Sequence, residues 1–232
     1  MGKSAIVTGG SSGLGLSIAN LLKDSGYSVI VWDRSPCEAH HYIHCDVSDS
    51  TSIKAALTKS LELFQSFDVL VNSAGIGVAI STISRSSVHD LSSFSAVLQV
   101  NLIGLFDVTR SVSQYMHGGV IINIASMAAT EGQRGQVAYS ASKAAVASMT
   151  MPMARDLASR STRIVCLCPG VFETPMSSLI SPSVKAKISK GIALGRLGTP
   201  EELSHIVKMC IENTYLNGCN INIHGGGILP NI

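Results

Sequence analysis

Short apolar runs of strand length alternate, from one end of the chain to the other, with stretches in which apolar residues recur every three or four positions. That alternation predicts successive βαβ units and a parallel sheet covered on both faces, because a strand apolar at consecutive positions has to be buried on both sides. Seven strands are expected, at residues 4–8, 28–32, 42–45, 69–72, 120–125, 163–167 and 220–224, with helices over 14–25, 50–65, 94–116, 137–159 and 200–213. The expectation is an α/β fold with a doubly wound, seven-stranded parallel sheet.

Several element ends carry their own signals. Gly26 can adopt the left-handed conformation that closes the first helix, and Thr199-Pro200-Glu201-Glu202 reads as a capping box with proline in the first turn. Only nine residues, 33–41, separate the second strand from the third, too few for a crossover helix, so a loop is expected there. The Pro- and Ser-containing stretch 174–189 reads as a mobile flap or as short helices over a site, the whole flap running to about 197.

Length and composition narrow the class. The 232 residues suit one domain, spanning 1–232, with no internal repeat or linker. A net charge of +2 and only 14% charged residues leave no basic patch, so nucleic acid is not an expected partner. The apolar fraction of 46% suggests a surface covered by another subunit. No uninterrupted apolar run approaches the roughly 18 residues of a membrane span. The glycine-rich turn begins too early for a signal peptide, and Ile6 stands where a myristoylation signal needs Ser or Thr. A soluble, cytoplasmic protein without membrane association is expected. The six cysteines lack framework spacing and read as free thiols. Cys37, His40, His41, His44 and Cys45 are of metal-ligating type, but on a strand His44 and Cys45 point to opposite faces, so no metal is expected.

The first chemical clue is Thr8-Gly9-Gly10-Ser11-Ser12-Gly13-Leu14-Gly15, which joins the apolar strand 4–8 to an amphipathic helix. A helix N-terminus offers unpaired N–H groups, and glycine lets a phosphate approach the backbone without meeting a Cβ. Gly9, Gly13 and Gly15 follow Gly-x-x-x-Gly-x-Gly, which departs from the Gly-x-Gly-x-x-Gly of many dinucleotide sites; alone, it could equally be a turn that binds nothing. The second clue is Tyr139-Ser140-Ala141-Ser142-Lys143, which stacks a phenol and an ammonium one helical turn apart. A phenol with a pKa near 10 is a poor base at neutral pH, and the field of Lys143 should move it toward the working range. Ser126 follows an apolar strand at its carboxyl end, where ligands of open α/β sheets bind, and its hydroxyl could hold a carbonyl oxygen. Singly, these would be ordinary helix-surface and capping residues.

Taken in order over the whole chain, the glycine segment, Asn72-Ser73-Ala74-Gly75, Asn101, Ser126, Tyr139-x-x-x-Lys143 and Pro169-Gly170 resemble the classical short-chain dehydrogenase/reductase family. The resemblance implies a Rossmann-type domain with Asn101, Ser126, Tyr139 and Lys143 as catalytic residues. Ser126 would position the substrate oxygen, Tyr139 exchange its proton, Lys143 bind the nicotinamide ribose and assist Tyr139, and Asn101 help hold a relay water. Cofactor contacts are implied at Gly9, Ser11, Ser12, Gly13, Leu14 and Gly15, at Asn72, Ala74 and Gly75, and at Pro169, Gly170, Val171 and Thr174. Asp46 and Val47 would meet the adenine. Ser73 departs from the second asparagine usual in the family. Asp33, just past the second strand, could accept bonds from the adenosine ribose and repel a 2′-phosphate, which favours NAD; its neighbour Arg34 could instead pair with that phosphate and favour NADP.

Within the family, the segments 121–126 and 131–143, Ala154-Arg155-Asp156-Leu157-Ala158, Arg196-Leu197-Gly198 and the ending 212–218 are most similar to type-2 3-hydroxyacyl-CoA dehydrogenases. That likeness implies an NAD-dependent oxidoreductase interconverting a secondary alcohol and a ketone. The short 33–41 connection and the lack of a presequence depart from those enzymes, and the connection also resembles dihydrodiol dehydrogenases. An NADP-dependent ketone reductase and a catalytically silent dinucleotide sensor remain alternatives. Gln136 and the flap would line the substrate side, although Gln136 could be only a polar helix-start residue. The resemblance further implies a homotetramer or homodimer packed through helices 94–116 and 137–159.

Overall fold

The computed structural model describes residues 2–227. Its seven strands are β1 (Ser4–Thr8), β2 (Ser28–Asp33), β3 (His41–His44), β4 (Val69–Asn72), β5 (Val120–Ile124), β6 (Arg163–Pro169) and β7 (Cys219–Ile223). They form one sheet in the order β3-β2-β1-β4-β5-β6-β7, with every pairing parallel.

Consecutive strand residues face opposite layers, which explains the unbroken apolar runs. One cross-strand row, Ile30, Ile6, Leu70, Ile121 and Ile164, is wholly buried under α2 (Ser50–Leu63), α4 (Leu105–Val112) and α5 (Val137–Asp156). The adjoining row, Val31, Val7, Val71, Ile122 and Val165, is buried under α1 (Gly13–Asp24) and α8 (Pro200–Glu212). The sheet winds outward from β1 toward β2 and β3, and from β4 toward β7. The crevice beyond the carboxyl ends of β1 and β4 is therefore the switch point where open α/β sheets bind ligands.

The expected boundaries hold to within a few residues, with one informative departure. Residues 94–116 are not one uniform helix. The segment starts as α3 (Leu91–Leu98), capped by Asp90, whose Oδ1 accepts from Ser93 N at 2.7 Å. It widens to a π turn at Gln99–Gly104 and continues as α4. Gly104 lies against the Val47 carbonyl, where a Cβ could not fit, so the widened turn sits where the helix crosses the β3–α2 connection. An 18-residue window within Leu91–Tyr115 has a mean hydropathy of 1.5, so the segment is long and apolar enough by length and composition to cross a membrane although it contains no uninterrupted apolar run of that length. Scattered Ser, Asn and Gln residues hide it in the sequence; in the fold Val97, Leu105, Val108 and Val112 are buried. Finally, the flap is two short helices, α6 (Pro175–Ser178) and α7 (Pro182–Lys190). The 34–40 connection carries no helix, Gly26 has φ +85°, and Glu202 reaches back to Thr199 N at 2.8 Å, all as the local signals require.

Candidate functional site

A cleft of about 750 Å³ opens at the switch point, walled by the ends of β1, β2, β4, β5 and β6 and by the flap. The β1–α1 turn forms one wall. Gly9 and Gly13 have φ of +67° and +53°, and a Cβ on Gly9 would stand 2.8 Å from the Ala74 backbone. A Cβ on Gly15 would strike the Gly9 carbonyl. Ser12 caps α1 without a side-chain bond, so no side chain covers the first amides of the helix. Thr8, unremarked in the sequence, clamps the neighbouring turn: its Oγ1 accepts from Ser73 N and Ala74 N at 3.2 Å each. Backbone approaching this closely, with uncapped amides at a helix N-terminus, fits a dinucleotide pyrophosphate.

At the adenosine end, Asp33 lines the cleft with its carboxylate fixed by Ser11 N (3.1 Å) and Ser35 N (3.0 Å). Arg34, Asp46 and Val47 line the same end. The Asp46 carboxyl accepts from Ser48 Oγ and N at 2.7 and 2.9 Å, which holds its pKa below the usual range. Burial drives the adjoining Cys45 thiol up to about 12. His44 is exposed and Cys45 buried, as opposite faces of a strand require, and the described residues contain no group of three or more His, Cys, Asp or Glu able to hold a metal.

At the other end, Ser126 leaves β5 and caps a short 3₁₀ turn, its Oγ accepting from Ala128 N at 3.1 Å. Tyr139 and Ser126 line the same end of the cleft, near enough for Ser126 to influence the phenol, which brings together two residues thirteen apart in sequence. Lys143 is buried and donates from Nζ to the Ile124 carbonyl at 2.7 Å, with its ammonium 5.7 Å from the Tyr139 ring centroid. The pKa directions differ from the expectation of an acidified phenol. Burial raises the Tyr139 pKa, with Ser126 the influence that opposes it; burial also depresses Lys143 to about 8. Desolvation is the largest influence on both groups.

Three other predicted residues are held by bonds within the protein. Asn101 is stapled to Ile76, its amide accepting from N and donating to O at 2.8 Å each, and it also donates to Ser142 Oγ at 3.1 Å. Its Oδ1 lies beside Gly75, which lines the cleft. Asn72 is buried and donates to Thr109 Oγ1 and Asn123 Oδ1 at 2.9 Å each, tying β4 to α4 and β5. Ser11 bonds the adenosine-side wall, its N–H donating to Asp33 and its hydroxyl to the Ser35 carbonyl at 2.7 Å. The remaining predicted residues do line the cleft: Ser12, Leu14, Ala74, Gly75, Gln136, Pro169, Gly170, Val171 and Thr174 among them. Gln136 Oε1 accepts from Gln133 N at 3.0 Å, and Thr174 Oγ1 caps α6 through Ser177 N at 3.2 Å. Sequence reasoning missed the apolar walls Val78, Ala79 and Met127, whereas Met176, Leu179 and Ile180 belong to the flap expected on the substrate side.

Residues 3–185 match the family model described as short chain dehydrogenase. The chain is 41% identical over 246 positions to 3-hydroxyacyl-CoA dehydrogenase type-2 of Rattus norvegicus, covering 97% of this chain and 94% of that one. It is 34% identical to 3-oxoacyl-[acyl-carrier-protein] reductase FabG of Chlamydia pneumoniae, covering 97% of each. Among solved structures, 3-hydroxyacyl-CoA dehydrogenase type-2 from Mycobacterium avium superposes with a TM-score of 0.90 at 29% identity, covering 99% of this chain and 97% of that one.

Proposed function

Because the chain belongs to the short-chain dehydrogenase family of oxidoreductases, we propose that it interconverts a secondary alcohol and a ketone using NAD(H), with a 3-hydroxyacyl thioester as the favoured substrate class. The observation that carries this reading is the convergence of Ser126, Tyr139 and the buried Lys143 at the end of a cleft that begins at a phosphate cradle. Gly9, Gly13 and Gly15 would admit the pyrophosphate and Asp33 the ribose hydroxyls. Hydride acceptance or donation is the chemistry that the bound dinucleotide supplies. Ser126 Oγ holds the reacting oxygen, and Tyr139 Oη removes or returns its proton. The Lys143 ammonium stabilises negative charge on the phenolic oxygen in a water-poor pocket. The uncharged walls at Val78, Met127, Met176, Leu179 and Ile180 suit an acyl chain.

Arg34 in the cleft wall is the one observation that favours NADP(H). The exposed apolar residues Ile103, Phe106 and Met151 support a second copy packed against these helices, and light scattering should report a dimer or tetramer. The deciding assay measures initial rates with NAD and NADP over 3-hydroxyacyl-CoA esters, simple secondary alcohols, hydroxysteroids and cyclic diols. NAD-linked turnover of the thioesters is expected. A preference for NADP, or turnover confined to the cyclic diols, would overturn the corresponding part of the reading.

A further inference from the structure

A second cavity, of about 460 Å³, lies beside the substrate end of the cleft. The two share a wall: Ile80 N donates to Gly135 O at 2.9 Å, with Ala79 and Gln136 facing the cleft while Ser81 and Gly135 face the second cavity. They also share the first turn of α5, since Tyr139 lines the cleft and Val137 and Ser140 line the second cavity. The reacting phenol and this chamber are thus neighbours on one helical turn.

The chamber has the chemistry of an anion site. Among the described residues, no carboxylate lines it. Arg134 does line it, and among the described residues its guanidinium makes neither a hydrogen bond nor an ion pair. Ser140 Oγ, also in the wall, is buried without a hydrogen-bond partner, which is costly unless a ligand or water satisfies it. The chamber meets the N-terminus of the 20-residue α5, whose first turn holds no acidic residue and whose N-cap Gln136 makes no side-chain cap bond, so the helix dipole reaches it uncompensated. Ser81 and Thr82 add hydroxyls.

We propose that this chamber is a phosphate subsite, with Arg134 as its principal ligand, that holds the phosphorylated handle of a thioester whose reacting carbon lies at Tyr139. The proposal rests on the thioester reading above. The same phosphate chemistry is offered by free coenzyme A and by a phosphopantetheine arm on a carrier protein. The lysines of α7, Lys185, Lys187 and Lys190, are the competing location for such a handle.

The test uses 3-hydroxybutyryl thioesters of pantetheine, of 4′-phosphopantetheine and of coenzyme A, with wild type, Arg134→Gln, Arg134→Lys and a Lys185→Gln/Lys187→Gln/Lys190→Gln variant. Arg134→Gln should lower kcat/KM about tenfold on phosphorylated thioesters through KM, as expected for loss of a charge-assisted bond, with partial rescue by lysine. The rate on the pantetheine ester should not change. A loss that begins with phosphopantetheine assigns the phosphate common to both carriers; a loss that begins only with coenzyme A assigns its nucleotide phosphates. Equal rates for Arg134→Gln and wild type on all three esters, or a loss confined to the triple lysine variant, overturns the subsite. If no thioester turns over while a simple secondary alcohol does, the thioester reading fails by itself. Calorimetric titration of NADH-saturated protein with pyrophosphate then decides the subsite: heat that depends on Arg134 supports it, and its absence overturns it.

Discussion

The cradle at the end of β1 and the flap over the other end of the cleft make one binding site by opposite means. In the cradle, backbone meets backbone: Gly9 against Ala74, Gly15 against the Gly9 carbonyl, and Thr8 clamping the turn at Ser73 and Ala74. Nothing there can be enlarged without moving a strand end. The flap is built on two short helices, of which only α6 has a side-chain cap, and it leaves Met176, Leu179 and Leu194 substantially exposed. Geometry that depends on an absent Cβ serves a ligand that does not vary. Geometry that depends on exposed side chains of a surface segment can be altered one residue at a time, so the cradle end speaks to reaction class and the flap end to substrate.

The sharpest division between the two ends would come from the residue where they meet. Tyr139→Phe should lower kcat about 10³-fold while leaving the dissociation constant for NADH within twofold, because it deletes the acid/base and leaves the cradle intact. Stopped-flow turnover and fluorescence titration check the two halves; an unchanged rate would remove Tyr139 from the chemistry. Gly15→Ala should do the reverse. Its Cβ cannot coexist with the Gly9 carbonyl, so the turn must shift. A loss of about 2–4 kcal/mol of stability, with nucleotide binding lost even where the protein remains folded, is expected from denaturant melts and NADH titration.

Acidity gives a smaller handle on the same boundary. Burial takes Lys143 from 10.5 to about 8, so between those values the folded chain binds fewer protons than the unfolded one. The penalty for burying the charged form is complete below about pH 8 and relaxes as pH rises toward 10.5. Lys143→Met should therefore gain in Tm relative to wild type at pH 7, and that relative gain should shrink in melts taken at rising pH. A difference independent of pH would mean that Lys143 is not desolvated as the fold implies. The smallest effect belongs to the flap. Leu179 is 87% exposed, so Leu179→Ala should change stability by less than about 0.5 kcal/mol and raise KM a few-fold for substrates with an apolar chain. A matching rise in KM for NAD would erase the distinction between the two ends.

Much of the fold was legible because burial on both sheet faces leaves so direct a mark. Rows such as Ile30, Ile6, Leu70, Ile121 and Ile164 come from strands that read as apolar runs before any partner is known. Site residues whose role depends on their own backbone, such as Gly9, Gly13 and Gly15, were legible for the same local reason. The bonding partners of Asn101, Asn72 and Ser11 were not, because each lies on an element distant in sequence, and the crossing over Val47 that accompanies the π turn is likewise a long-range contact.

The sequence by itself determined the order of strands and helices, the glycine cradle and the one-turn stacking of Tyr139 on Lys143, since these follow from side-chain periodicity and backbone sterics over a few residues. Only the tertiary structure decided that Tyr139 meets Ser126, that burial raises the phenol and lowers the ammonium, and that Arg134 and Ser140 face a chamber of their own. Desolvation and cavity shape are sums over neighbours contributed by many elements, and no local stretch of chain contains that sum.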